Sequence, residues 1–365
     1  MTNFMTQSED PDTIIPASAK KRFLIGQLGA FGDCLYATTV ARQIKNDFPF
    51  CHLTWAIGSR YRSILEGNPY VDDIWEFPLS ADDDISVRWM QFENEAVGRK
   101  SKGDFDEIFF TQIYPNNFKN FDGTVRPSIF RAYPHPITVP VAPVLFLSDA
   151  EVARVRHFAE IHSLGNKKQV ILFECSPKSD QSFVTLEFAQ KVSKQIVEKF
   201  PDCCIILSSN EPFHSSDDRI IDGSHLSFRE NAELTKYCTL LVGCSSGISW
   251  LCTSDWARPL PMIQLLKEET GIYASFIRDH EYCGLDTSLI IEMTECPVET
   301  VAACIQMIFT EGFASARQKY YQRIRMHFLH YLRIVYIYLI KKGRFRDVIL
   351  SFRYFTQRWL LNVKL

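Results

Sequence analysis

Two series of alternating strand-like and helix-like segments, separated by a proline-rich stretch, restrict the folds open to this sequence. Short apolar runs alternate with segments of helical spacing over residues 22–112 and again over residues 168–266. Between them, residues 114–144 are rich in proline, asparagine and aromatic residues and cannot sustain a regular helix. Since alternating β and α segments form parallel sheets, the sequence predicts an α/β fold with two Rossmann-like domains that face a central cleft.

Composition divides the chain into four regions. Residues 1–21 contain acids and a proline where a signal peptide needs a charged head and an apolar stretch, so we expect a flexible arm on a cytoplasmic protein. One Rossmann-like domain is expected over residues 22–150 and a second over residues 151–313, followed by a helical tail over residues 314–365. The eleven cysteines are scattered without a CxxC pair, which is typical of reduced thiols.

A glycine-rich turn follows the first predicted strand, within IGQLGAFGDCLYATT at residues 25–39. Its glycines have the spacing GxxGxxG rather than GxGxxG, and no acid ends the second predicted strand, so the pattern disfavours a dinucleotide site. Asp33 falls at the first turn of the predicted helix. Such a carboxylate either caps the helix or, facing the cleft, accepts a proton from a sugar hydroxyl, and spacing alone does not choose between the two.

A second turn with small residues lies in LVGCSSGISWL, residues 241–251, where a strand runs into a helix. Small residues at a helix N-terminus expose amide and hydroxyl donors that suit a phosphate or diphosphate. A plain serine cap with a close-packed glycine fits the same letters. The candidate residues for an anion here are Ser245, Ser246 and Gly247.

A third polar stretch, FECSPKSDQS at residues 173–182, follows the first strand of the second series. It offers hydroxyl donors and one ammonium group where the phosphates of a nucleotide would lie in such a fold. The alternative is a solvated polar loop. The candidate residues are Ser176, Lys178, Ser179 and Ser182.

These motifs together resemble glycosyltransferase family 9, the ADP-heptose:lipopolysaccharide heptosyltransferases and their relatives. The resemblance begins with residues 23–75, FLIGQLGAFGDCLYATTVARQIKNDFPFCHLTWAIGSRYRSILEGNPYVDDIW, which follow the order of that family's N-terminal segment. It continues with residues 233–252, ELTKYCTLLVGCSSGISWLC, at the place of the family's D-S-G-P-x-H motif. The acid, proline and histidine of that motif are absent here, so the resemblance gives weaker support for the identity of the donor sugar nucleotide than for the fold.

The resemblance implies a GT-B fold in which the second domain holds most of a nucleotide sugar and the first holds most of the acceptor. It also implies inversion by direct displacement without a metal or other cofactor, with Asp33 as the base that deprotonates the acceptor hydroxyl. The two serine-containing stretches would bind the diphosphate. The acceptor-side turn would comprise Gly29, Ala30 and Gly32.

The tail carries most of the positive charge of the protein. The chain has a net charge of −3, but residues 314–365 contain twelve Lys or Arg against one acid, Asp347, and therefore carry +11. The most apolar part, residues 328–340, is too short to span a bilayer. It could instead lie in an anionic membrane interface, pack on the body, or form an oligomer, whereas no motif supports nucleic acid. The residues expected to contact a membrane are Arg333, Lys341, Lys342, Arg344 and Arg346.

The sequence therefore predicts a cytoplasmic glycosyltransferase, peripheral on the inner face of the plasma membrane. Its partners would be a nucleotide-diphosphate sugar and a glycan or glycolipid precursor. Two alternatives stay open: a GT-B-shaped binding or scaffold protein without transfer activity, and transfer of another sugar to a protein.

Overall fold

A computed structural model describes residues 20–80, 82–177, 181–269 and 271–365 of the chain. Ten strands and thirteen α-helices lie in these ranges. The strands are Arg22–Gly26 (β1), His52–Gly58 (β2), Asp73–Phe77 (β3), Glu107–Phe110 (β4), Gln169–Glu174 (β5), Cys203–Ser208 (β6), Ile220–Asp222 (β7), Leu240–Gly243 (β8), Met262–Leu266 (β9) and Ile290–Thr294 (β10). The helices are Phe31–Asp47 (α1), Ile85–Ser101 (α2), Pro127–Phe130 (α3), Asp149–Ile161 (α4), Leu186–Lys199 (α5), Glu230–Leu234 (α6), Gly247–Leu251 (α7), Gly271–Ala274 (α8), Phe276–Tyr282 (α9), Val298–Glu311 (α10), Phe313–Tyr320 (α11), Phe328–Val335 (α12) and Phe345–Trp359 (α13).

The strands form two parallel sheets, which confirms the predicted α/β class. The first has the order β3-β2-β1-β4 and the second the order β10-β9-β8-β5-β6-β7. Strand order reverses between β1 and β4 in the first sheet, and between β5 and β8 in the second. Loops at the carboxyl ends of such strands frame a crevice, so this topology selects the segments after β1, β5 and β8 as the place for a site.

Several local predictions differ from the observed elements in length. Residues 59–67 and 246–255 both have helical spacing in the sequence, but the first stretch forms the 3₁₀ helix Ser59–Leu65 and the second contains only the five-residue α7. The helix α2 was not among the predicted elements; it begins after the Asp84 cap and buries Trp89 and Phe92 against the first sheet. These helices are short because the chain changes direction after one or two helical turns to reach the next element.

The inner face of the C-terminal tail packs on the body through aromatic rings. Tyr338 stacks on Phe118 with ring centroids 4.1 Å apart, and Tyr331 stacks on Phe121 at 5.7 Å. Phe355 of α13 completes this cluster against Tyr331 at 4.3 Å. A five-residue π-helix, Tyr336–Ile340, continues α12. Within the described residues, no helix combines the length and the apolar character that a bilayer crossing requires.

A buried cluster of charges fixes the tail to the segment between the two sheets. The Asp122 carboxylate is fully buried and pairs with Arg131 at 2.7 Å and Arg358 at 3.0 Å. Burial alone would raise the pKa of Asp122, but the two guanidinium groups hold it below its ordinary value. The Trp359 indole also donates to the Asp122 carbonyl at 2.7 Å. The tail is therefore held by paired charges as well as by ring packing.

Removing the Asp122 carboxylate should loosen the tail. We expect Asp122→Ala to lower the free energy of unfolding by about 3–5 kcal/mol, because two buried guanidinium groups lose their counter-charge. Urea denaturation measures this, and limited proteolysis should then cut within residues 314–365. The exposed Arg353→Ala in the same tail is the control and should change stability by less than about 0.5 kcal/mol. A loss below about 1 kcal/mol for Asp122→Ala would contradict the anchoring role.

Candidate functional site

The glycine turn after β1 is held by a buried glutamine. The Gln112 side-chain oxygen accepts hydrogen bonds from the amides of Leu28 at 2.9 Å and Gly29 at 3.1 Å. A methyl group on Gly29 would lie 2.5 Å from the Tyr61 ring, so a larger residue here would displace that ring. Ala30 is exposed and caps α1 through its extended backbone, without a side-chain bond. The turn therefore places the first residues of α1 just beyond the carboxyl end of β1.

Asp33 lies in the first turn of α1 but does not cap it. The N-cap position is Ala30, and the Asp33 carboxylate accepts no hydrogen bond from any residue that the structure describes. Burial raises the pKa of Asp33 to about 6, and the nearby Arg126 limits that rise. An ionised carboxylate with this pKa, free of protein donors, has the properties of a general base near neutral pH.

Arg126 is the cation that acts on this carboxylate, and it is not among the residues predicted from the sequence. It precedes α3 and is buried, donating to the Asp279 carboxylate at 3.1 Å and to the Ser245 carbonyl at 2.9 Å. Its guanidinium lies 4.6 Å from the centroid of the Trp250 ring. Arg126 thus links the first turn to the second, although nothing in the aperiodic residues 114–144 identified it.

The turn at the N-terminus of α7 is occupied by a carboxylate of the chain itself. Glu174, the last residue of β5, is buried and accepts from the Ile248 amide at 3.1 Å and the Cys244 amide at 2.8 Å. The Ser246 hydroxyl donates to the same carboxylate, and so does the Ser249 hydroxyl at 2.6 Å. Of the donors predicted to bind an external anion, the Ser246 hydroxyl is therefore already engaged by Glu174. The sequence pattern could have indicated this role, because Glu174 is an acid at the end of an apolar run.

Ser245 is also committed to internal contacts. It is fully buried, its hydroxyl donates to the Ala274 carbonyl, and its amide donates to the Gln264 side chain at 2.7 Å. The Gln181 side chain donates to the Ser245 carbonyl. Of the predicted serines in this turn, only Ser246 retains partial exposure.

The polar stretch after β5 divides into three parts. Ser182 is buried, and its hydroxyl donates to the Leu265 carbonyl at 2.6 Å. Ser176 is half-buried at the edge of the second sheet, where its hydroxyl accepts from the Asn210 amide at 3.3 Å. Lys178 and Ser179 lie outside the described residues. Ser176 is the predicted hydroxyl of this stretch that the structure places nearest the surface.

The turns of the two domains touch each other directly. A methyl group on Gly32 would lie 3.3 Å from the Trp250 ring and 3.9 Å from the Gly247 Cα, and one on Gly247 would lie 2.8 Å from the Phe228 ring. The Phe31 ring packs on Phe228 with centroids 4.4 Å apart. The structure thus brings Asp33 and the predicted anion turn together, but it leaves no room for a sugar ring between Gly32 and Gly247.

Two solved structures have a similar arrangement of domains. A glycosyl transferase family 9 protein of Veillonella parvula is 11% identical, with 80% of this chain and 93% of the other covered, at a TM-score of 0.52. ADP-heptose LPS heptosyltransferase II of E. coli is 11% identical, with 80% of this chain and 99% of the other covered, at a TM-score of 0.50. This chain has the GT-B fold. No family model matches the sequence, and no curated protein matches it either.

These likenesses concern the GT-B fold, because 11% identity transfers no residue roles. Within that fold, the Asp33 turn and the Glu174-filled turn are the facing edges of the cleft. Among the described residues, no group of three or more His, Cys, Asp or Glu side chains is arranged to hold a metal ion. The edges of the cleft present one carboxylate with a raised pKa, one buried guanidinium and a set of hydroxyl and amide donors.

Replacing Asp33 should stabilise the protein at neutral pH. Because its folded-state pKa is about 6 and its ordinary value is 3.8, the folded state loses stability as pH rises through this window. We expect Asp33→Asn to raise the free energy of unfolding by about 1–3 kcal/mol at pH 8, and by almost nothing below pH 4.

Chemical denaturation at pH 8, 6 and 4 measures this difference, and the exposed Asp218→Asn is the matched control. A helix cap would give the opposite sign at pH 8. Destabilisation of Asp33→Asn there would thus return Asp33 to a structural role.

Proposed function

We propose that this protein is an inverting glycosyltransferase that moves a sugar from a nucleotide-diphosphate sugar to a glycan or glycolipid precursor without a metal ion. The observation that carries the proposal is the Asp33 carboxylate, which lies at the switch point of the first sheet with a raised pKa and no protein donor among the described residues. The resemblance of residues 23–75 to glycosyltransferase family 9 supports it.

In this reaction Asp33 acts as the base. Its carboxylate takes the proton of an acceptor hydroxyl while that oxygen attacks the anomeric carbon of the sugar. The bond from the anomeric carbon to the diphosphate oxygen breaks, and its electron pair leaves with the diphosphate. Arg126 lies beside Asp33 and keeps the carboxylate ionised near neutral pH, so it is a positioning residue rather than a proton carrier.

The donor would bind on the second domain, with the acceptor at the turn of Gly29, Ala30 and Gly32. The residues proposed to bind the donor are Ser176, Lys178, Ser179, Ser182, Ser245, Ser246 and Gly247. For a diphosphate to reach the α7 amides, the turns at Gly32 and Gly247 must separate and Glu174 must release the Ser246 hydroxyl. Transfer therefore requires a more open cleft than the one described.

A second candidate is a GT-B protein that binds a ligand or a partner without transferring a sugar. The observation that favours it is Glu174, since a buried carboxylate with four donors repels a second anion from the same amides. The two candidates differ in whether a nucleotide sugar is turned over.

We also propose that the protein is cytoplasmic and that its tail rests on the inner face of the plasma membrane. The outer face of the tail exposes apolar side chains at helical spacing, including Leu329 at 80% and Ile349 at 72% exposure. Of the basic residues predicted to meet lipid, Arg333, Lys341, Lys342 and Arg346 are exposed. Arg344 differs, because it donates to the Asn116 carbonyl at 3.2 Å and pairs with Asp347.

Loss of the base should abolish transfer but not donor binding. We expect Asp33→Asn to lower kcat by about 10²–10⁴-fold with little change in affinity for the donor. The kcat/KM of the wild type should fall about tenfold per pH unit below pH 6, because a protonated Asp33 accepts no proton. Asp218→Asn should leave transfer unchanged. A thermal-shift panel of nucleotide sugars identifies the donor for these assays.

Glu174→Gln tests whether a nucleotide-diphosphate sugar uses the α7 amides, and turnover by the wild type separates the two candidates. Removing the charge should raise the affinity for a nucleotide-diphosphate sugar by about tenfold if the diphosphate uses the α7 amides. Circular dichroism checks that the variant is folded. Donor binding without turnover by the wild type would favour the second candidate. If neither protein binds any nucleotide sugar, the donor site itself is wrong.

The outer face of the tail should drive membrane binding. We expect Leu329→Gln with Ile349→Gln to weaken sedimentation with anionic liposomes by about tenfold, because two inserted apolar side chains are lost. The matched control is Val87→Gln with Met90→Gln, which changes two exposed apolar residues of α2. Binding of the wild type should weaken at high salt. Equal effects of the two double variants would contradict the assignment.

A further inference from the structure

A wide groove beside the tail collects positive charge away from the cleft. It has a volume of about 710 Å³ and lies between α9, the extended residues 321–327 and the end of α13. Its walls carry five basic side chains and one acid, namely Arg278, Arg323, Arg325, Arg358, Lys364 and Glu281. We name this feature the basic groove. No motif in the sequence indicated it, because its residues come from three separate segments.

Two of its arginines are neutralised and held in place. Arg278 pairs with Glu281 at 3.1 Å, and its guanidinium lies 5.3 Å from the centroid of the Trp359 ring. Arg358 pairs with Asp122 and lies 4.8 Å from the Tyr282 ring centroid. These two cations form a rigid floor, because stacking and ion pairing fix their side chains before any ligand arrives.

The other cations have no such partner. Arg323 and Arg325 lie on the exposed side of an extended segment, while the alternate residue Ile324 is buried between them. Neither arginine, nor Lys364, makes an ion pair or hydrogen bond with any residue that the structure describes. Three like charges around one groove repel each other until an anion enters, so this arrangement favours a ligand with more than one negative charge.

The rim of the basic groove is apolar and belongs to the outer face of the tail. Leu360 is 72% exposed and Leu361 is 66% exposed, directly after the Trp359 that lines the groove. Phe328 and Leu329, which follow the extended segment in the chain, are also exposed. A phosphate between the arginines would therefore carry any attached hydrocarbon chain onto an apolar surface.

We propose that the basic groove binds a phosphomonoester or diphosphate group, and that the natural source of this group is a lipid headgroup at the membrane surface. Arg323 and Arg325 supply the charge-assisted hydrogen bonds to the phosphate oxygens. Leu360 and Leu361 contact the hydrocarbon part. The site is separate from the cleft and does not depend on transfer activity; only its lipid source rests on the proposed membrane contact of the tail.

The test compares two pairs of charge removals in the full chain. The groove variant is Arg323→Gln with Arg325→Gln, and the control is Arg333→Gln with Arg346→Gln, two exposed tail arginines outside the groove. Both pairs remove the same charge. Thermal melting should show both proteins folded. Vesicles of phosphatidylcholine contain either phosphatidic acid or phosphatidylserine at matched surface charge, and pyrophosphate serves as a soluble probe.

The wild type should prefer the phosphatidic acid vesicles by about tenfold, and the groove variant should lose this preference. The control variant should bind both vesicles more weakly but keep the preference. If the wild type binds pyrophosphate but does not prefer phosphatidic acid vesicles, the phosphate site is supported with a soluble ligand. Only the lipid source would then be contradicted. Equal losses for the two variants on both vesicles, with no pyrophosphate binding by the wild type, would overturn the proposal.

Discussion

The buried ion pairs of the segment between the two sheets hold the molecule together. Arg126 reaches from this segment into the second domain through Asp279, and Asp122 reaches the tail through Arg358. A charge buried without a partner is strongly destabilising, so each of these contacts permits little change in its geometry. A stretch whose composition indicated a loop or a linker therefore helps to fix the second domain and the tail to the first.

The same ion pairs shape the electrostatics of the cleft. Arg126 limits the rise in the pKa of Asp33 and donates to the Ser245 carbonyl of the second turn, where Glu174 accepts four hydrogen bonds. One edge of the cleft thus carries a carboxylate that accepts no hydrogen bond from the described residues, and the other carries a carboxylate that accepts four. The first arrangement motivates the proposed transferase, and the second motivates the alternative of a binding protein.

The tail has two faces with different physical tasks. Its inner face buries rings such as Tyr331 and Tyr338 against the body, and its outer face leaves Leu329 and Ile349 in solvent. The basic groove lies where the two faces meet. Because part of its charge is used internally by Asp122, the tail offers a membrane fewer free cations than its composition suggests.

Sequence alone determined the fold class and the position of Asp33. Periodicity identified most strands, because a buried parallel strand is a short apolar run, and the glycine turn placed Asp33 at a sheet edge. Its role was left open between cap and base, and the structure shows that the cap is Ala30.

Tertiary structure decided what surrounds each candidate. The serines at 245 and 246 look available in the sequence, yet Ala274 and Glu174 engage them from segments 29 and 72 residues away in the chain. Arg126 gave no signal, because it belongs to no periodic element. Whether a hydroxyl or a charged group is free to bind a ligand depends on the partners that packing brings to it. Those partners lie far away in the chain, so the local sequence does not reveal them.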